Sequence, residues 1–188
     1  MTGAWSGIET PRLRLRRFTD GDLEAFVAYR SLPATTQFLE RATFTAEDGR
    51  ALLAEMQDRE PGQPGTWFQF AVERRSVPGL IGDVGLRTDW AWPRVMEVGY
   101  TFDPAARGQG FATEAVRGVL SLAFTELGAH RVSGNCDARN AASAAVMERL
   151  GMRREAHHLE DYWAKGAWTS SLVYAVLARE WPSARSPA

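Results

Sequence analysis

A strand that breaks off at an Asp-Pro step, a loop with two close glycines and an amphipathic helix follow one another without a gap between Val95 and Leu127. Val95 to Phe102 reads as the strand, stopped at Asp103-Pro104. Ala112, Ala115, Val116, Val119, Leu120, Ala123, Phe124 and Leu127 recur at three- and four-residue steps, and Gly128 is a natural helix stop. Gly108 and Gly110 stand directly before that helix. Glycine permits positive φ and lets a ligand approach the backbone closely. The first helix amides lack intrahelical acceptors and sit at the positive end of the helix dipole, so the junction suits an anion such as a diphosphate. Arg107 is placed to add a charge-assisted contact at the rim. Glycines before helices also occur in plain loops, so the run alone leaves the ligand open. It is not a P-loop, because Phe111-Ala112 follows Gly110 where a lysine and a hydroxyl residue are required. Nor is it a dinucleotide fingerprint, whose third small residue would fall on Thr113.

The rest of the chain alternates between two periods. Arg12 to Arg16 places Leu13 and Leu15 on one face of a half-buried strand. Thr19-Asp20 caps a helix running through Leu23, Phe26 and Val27 to Arg30, and Pro33 interrupts it. A second helix begins after Thr45 and ends before the turn cluster from Pro61 to Gly65. Thr66 to Glu73 and Leu80 to Arg87 form a hairpin about Val77-Pro78-Gly79. After the glycine loop and its helix come a strand from Arg131 to Ala138 and a short helix from Asn140 to Leu150. Two strands follow, about Met152 to Tyr162 and Trp168 to Leu177, joined at Lys165-Gly166. The order is β-α-α, three strands, then α-β-α-β-β, an α/β fold with a mixed sheet. One domain over residues 11–181 is expected, with 1–10 as a lead-in and 182–188 as a tail; Trp181-Pro182 is expected to be loosely ordered.

Charge and composition exclude several partners. The net charge of -1 exerts no long-range pull on nucleic acid or anionic membranes. No apolar run approaches the ~20 residues of a membrane helix, and Met1 to Gly7 lacks the basic and apolar regions of a signal peptide. A cytoplasmic protein is expected. The single cysteine, Cys136, rules out an intramolecular disulfide and reads as a small buried hydrophobe. His157 and His158 are adjacent in a strand and point to opposite faces, so no metal site is expected.

Arg107-x-x-Gly110-x-Ala112 matches the Gln/Arg-x-x-Gly-x-Gly/Ala signature of the GNAT superfamily of N-acetyltransferases. The stretch from Glu97 to Ala115 resembles the branch that acetylates ribosomal-protein N-termini. So do Glu9 to Arg17, Asp137 to Ser143 running into Met147 to Met152, and Leu172 to Trp181. The resemblance implies a central sheet of about six or seven strands, flanked by about four helices, with two parallel strands that splay apart. By the same resemblance, acetyl-CoA lies in the splay. The backbone of Arg107, Gly108, Gln109, Gly110, Phe111, Ala112 and Thr113 would hold the diphosphate, and Tyr100, Phe102 and Asn140 the pantetheine arm. Gly99 fits either a bulge or a strand glycine beside a bulky neighbour, and Asn140 is also a natural helix N-cap.

The chemistry needs a neutral amine, and amines of pKa about 8 to 10.4 are mostly protonated at neutral pH. Glu97, flanked by Val95, Met96 and Val98, is the candidate general base, with partial desolvation making it more basic; an ion-paired surface Glu is the competing reading. Many family members carry a tyrosine acid where this chain has Met147; in the resembling branch a serine matching Ser143 takes the role. The acceptor groove would lie between about Leu32 to Arg41 and Glu160 to Trp168, where Glu160 and Asp161 are either amine-attracting or merely solvated. Protein N-termini, polyamines, amino acids and aminoglycosides all remain as acceptors, a homodimer is compatible, and a coenzyme-binding module without transfer activity is the rival class.

Overall fold

The computed structural model describes residues 5–182. Its eight strands are β1 (Ile8–Glu9), β2 (Leu13–Arg16), β3 (Trp67–Arg74), β4 (Leu80–Thr88), β5 (Val95–Phe102), β6 (Arg131–Asp137), β7 (Arg153–Ala164) and β8 (Ala167–Leu177). The helices are α1 (Leu23–Arg30), α2 (Pro33–Thr36), α3 (Ala46–Gln57), α4 (Phe111–Thr125) and α5 (Ala141–Arg149). One mixed sheet runs in the order β1-β2-β3-β4-β5-β6-β8-β7. Among the named strands of the described residues, only the β5–β6 pair is parallel.

The two-residue period read from the sequence sets the sheet faces. Phe68, Phe70 and Val72 of β3 are buried, and Val72 lies opposite buried Leu15 of β2. Val98, Tyr100 and Phe102 of β5 share a face with their β4 partners Leu86, Val84 and Gly82. Ala115, Val116, Val119, Leu120 and Ala123 of α4 are fully buried in the same core, as the helical spacing requires. A second cluster of Phe26, Tyr29, Phe44 and Leu53 ties α1 to α3. It is joined to the sheet through Asp83 of β4, which accepts from the Tyr29 hydroxyl and the Arg30 guanidinium.

The expected mixed α/β sheet with a parallel pair is present; three details differ from expectation, and one of the two readings of Gly99 is selected. The sheet has eight strands rather than six or seven: β1 is two residues long, too short to show a period, and is held by pairing Ile8 with Leu15 and Glu9 with Arg14. Pro33 opens the short α2 instead of interrupting structure, because proline at the first helical position removes no intrahelical donor and presets φ; there are therefore five helices rather than four. Gly99 makes no bulge: it pairs in register with Gly85, and a Cβ there would touch the Trp67 ring at 3.6 Å. Trp181 is only 8% exposed and packs on Phe124, so the order of the chain extends through it. The remaining tail call, residues 183–188, lies outside the described residues.

Asp83 is 1% and Arg30 15% exposed at the side chain, so removing one partner strands a desolvated charge. Asp83→Ala should cost about 3–5 kcal/mol of stability in urea unfolding. Arg30→Met in the same chain should restore a large part of it. A single-variant loss below about 1 kcal/mol would show that the pair is not what fastens α1 to the sheet.

Candidate functional site

β5 and β6 stay in register for only three residue pairs, Val95 with Arg131, Met96 with Val132 and Glu97 with Ser133. Beyond that point β5 continues to pair with β4 and β6 with β8. The facing edges of Val98–Phe102 and Gly134–Asp137 therefore carry main-chain groups with no strand partner, which must find acceptors and donors elsewhere. Gly134 stands at the fork. A Cβ on it would meet the Val98 carbonyl oxygen at 3.2 Å and Met147 Sδ at 3.0 Å, so a side chain there would crowd the mouth of the fork.

The fork opens into a cleft of about 940 Å³ lined by α2, the end of β5, the glycine loop and the first turns of α4 and α5. Gly108 and Gly110 hold φ of +74° and +79°, the left-handed region that glycine enters without strain. α3 and α5 satisfy their first amides with their own caps, Thr45 Oγ1 accepting from the Asp48 N–H and Asn140 Oδ1 from the Ser143 N–H. α4 has no such cap: its N-cap is Gly110, which has no side chain to offer. The Arg107 N–H donates to the Pro104 carbonyl, and helical bonding resumes with the Glu114 N–H on Gly110. Between them the N–H groups of Gly108, Gln109, Gly110, Phe111, Ala112 and Thr113 have no acceptor among the described residues. This is a backbone nest of the kind that suits an anion.

The loop is fastened from outside. Glu114 accepts from the Thr10 hydroxyl and from the Arg12 N–H and Nε, while Arg12 Nη1 donates to the Gln109 carbonyl at 3.0 Å and its guanidinium lies over the Phe111 ring. Burial raises the Glu114 carboxyl pKa, but these hydrogen bonds outweigh it and the net shift is downward. Glu114 thus stays anionic and already neutralised beside the nest. The clamp was not legible in the sequence, since its partners are about a hundred residues apart.

The rim contact expected of Arg107 is corrected. Its guanidinium donates to the Phe102 and Ala34 carbonyls and to Thr35 Oγ1, tying α2 to the end of β5 instead of facing the nest. On the opposite side Lys165 Nζ donates to the Thr36 and Gln37 carbonyls. Lys165 and Gly166 both have positive φ, as a two-residue hairpin turn of this hand requires. The structure thus brings together the two segments expected to frame the acceptor groove. Beside the turn, Trp163 and Trp168 form an exposed edge-to-face pair.

The remaining expected site residues fall on both sides of the fork. Tyr100, Phe102, Asn140 and Ser143 line the cleft or its wall. The Tyr100 hydroxyl lies 2.9 Å from both the Oγ and the carbonyl oxygen of Ser143, and burial pushes its pKa well up, so the phenol keeps its proton. Burial likewise raises the pKa of the neighbouring Cys136 thiol. Glu97 faces the opposite side of the sheet, with Arg87 across from it. It accepts from the Arg87 guanidinium and from Asn135 Nδ2 at 3.1 Å, so it is a paired carboxylate and not one isolated in apolar surroundings. Asn135 and Arg87 carried no signal in the sequence, because their role depends on register. Among the described residues no cluster of potential ligands could hold a metal ion, and no helix is long and apolar enough to cross a membrane.

The comparisons agree with this geometry. Residues 12–153 match the family described as acetyltransferase (GNAT) domain. The uncharacterized N-acetyltransferase YnaD of Bacillus subtilis is 29% identical over 174 residues, covering 93% of this chain and 98% of its own. The structure of a GNAT-family acetyltransferase from Bacillus anthracis superposes with a TM-score of 0.84 at 28% identity, covering 93% of this chain and 99% of that one. A spermidine N-acetyltransferase from Vibrio cholerae, solved with CoA and spermine, has a TM-score of 0.77 at 21% identity, covering 91% and 98%, and shares the fold. With the family model matching 12–153, the greater part of the chain, the chain belongs to the GNAT acetyltransferases.

Proposed function

We infer that this N-acetyltransferase moves the acetyl group of acetyl-CoA to a primary amine by direct attack in a ternary complex. The observation that carries the reading is the row of acceptor-free amides from Gly108 to Thr113 facing the cleft beside the fork. Those amides would hold the diphosphate. The free edge of Val98–Phe102, with Tyr100 and Phe102, and the Asn140 amide would align the pantetheine arm, Asn140 using the group it does not need for capping. The coenzyme, when bound, supplies an acetyl thioester. An unpaired β5 amide directed at its carbonyl oxygen is a preorganised donor of the kind worth about 3 kcal/mol in oxyanion holes.

The amine would enter from the Glu97 face. Glu97, oriented by Asn135 and Arg87, takes the proton directly or through one water, exchanging an ion pair for a protonated carboxyl as it does so. On the other side of the fork Ser143 would donate to the departing sulfur, with Tyr100 donating to Ser143 Oγ in the arrangement that frees the serine proton. A thiol of pKa near 8.5 leaves with little assistance, so Met147 in place of the tyrosine acid does not argue against transfer.

A protein N-terminal α-amine is the favoured acceptor. The segments Glu97–Ala115 and Asp137–Met152 resemble the ribosomal N-terminal branch. A small amine such as a polyamine is the second reading, favoured by the spermidine enzyme's shared fold.

Gly110→Asp should lower acetyl-CoA affinity at least about a hundredfold in calorimetry, through charge repulsion in the nest. The loss of stability should stay near 1–2 kcal/mol, because the new Cβ meets only Arg12 Nη2, at 3.4 Å, and the cost is that of positive φ. Unchanged affinity would remove the nest as the coenzyme site. Glu97→Gln should reduce kcat about a hundredfold across peptide and polyamine acceptors while leaving acetyl-CoA affinity within about twofold. A retained kcat would mean that Glu97 is not the base.

A further inference from the structure

Beyond the nest, the cleft has a second cationic feature that the transfer chemistry does not use. Arg117 and Arg149 both line it. Arg117 follows Thr113 by four residues on α4, so it lies one helical turn past the free amides on the same side. Arg149 comes from the last turn of α5, and its Nη1 lies 3.4 Å from Thr113 Oγ1. Arg117 Nη2 is 3.5 Å from the Arg149 main-chain carbonyl and the Arg117 guanidinium lies over the Trp181 ring, so the two residues meet at one end of the cleft.

Most arginines near the sheet are matched with carboxylates, yet among the described residues neither of these two is in an ion pair. The carboxylate on this stretch of α4, Glu114, is occupied by Thr10 and Arg12. Two cations at one end of a cleft with no carboxylate partner favour an anion there, and a phosphate oxygen set suits guanidinium forks. The nest amides account for a diphosphate. Coenzyme A carries one more phosphate, a phosphomonoester on the 3′ position of its ribose, with a charge of about -1.5 to -2 near neutral pH.

We propose that Arg117 and Arg149 form a phosphomonoester site that takes the ribose 3′-phosphate and selects coenzyme A over 3′-dephospho-coenzyme A. This rests on the coenzyme reading above, but it can fail separately. The selection acts on ground-state binding, so it reads out in affinity without turnover.

Calorimetric titration of the full chain with coenzyme A and with 3′-dephospho-coenzyme A tests it. Wild type should bind coenzyme A at least about tenfold more tightly, the effect of one or two charged hydrogen bonds. Arg117→Gln and Arg149→Gln should each reduce that ratio, and the double variant should bring it to about 1 while dephospho-coenzyme A affinity stays unchanged. Arg117→Lys/Arg149→Lys should keep part of the preference, and circular dichroism of every variant should match wild type. A wild-type ratio near 1 overturns the proposal, as does a preference that survives the double Gln substitution. Equal weakening of both ligands overturns it too, by assigning the arginines to the diphosphate. Wild type binding neither molecule would overturn the coenzyme reading itself.

Discussion

Backbone N–H and C=O groups need partners from protein, water or ligand, and beside one cleft in this fold the chain supplies none from itself on either side. The parallel pair β5–β6 loses its register after Glu97 and Ser133, and α4 begins at a glycine that cannot cap it. The first leaves an extended edge able to pair with an extended ligand; the second leaves a cluster of donors at the positive end of a helix. α3, which lies outside the cleft lining, is capped by the Thr45 side chain, whereas α4 has no side chain to cap it. A molecule with a diphosphate at one end and amide-bearing linkage along its length satisfies both demands at once.

The surroundings keep this open geometry from collapsing. Arg12 bridges Glu114 and the Gln109 carbonyl, so the glycine loop is held by a segment from the far end of the sequence. Arg107 and Lys165 both hold α2 through main-chain carbonyls, so this short helix, a wall of the cleft, is tied to the end of β5 and to the β7–β8 turn. Long cations act here as tethers for backbone oxygens more than as surface charges.

Local patterns were readable in the sequence, and long-range pairings were not. The alternation at Phe68, Phe70 and Val72, the stripe of α4 and the glycines at 108 and 110 each report a structure decided within a few residues. So does the turn at Lys165-Gly166. The backbone nest was therefore visible, while the side chain of Arg107 was misjudged, because its acceptors Ala34 and Thr35 are about seventy residues away. Glu97 shows the same limit. Its apolar neighbours along β5 suggested isolation, but strand neighbours face alternate sides, and what it meets is decided by the register with Arg87 and by Asn135 beyond the fork. Trp181 looked like the start of a tail because its partner Phe124 lies in α4.

The central claim is that the free amides between Arg107 and Glu114 are the coenzyme's anchor. Amide ¹H–¹⁵N NMR of the protein titrated with coenzyme A addresses it bond by bond. The largest shifts should fall on Gly108 to Thr113, with Glu47 and Asp48 at the self-capped start of α3 unmoved. Binding that leaves the Gly108–Thr113 signals in place while others move would contradict the account.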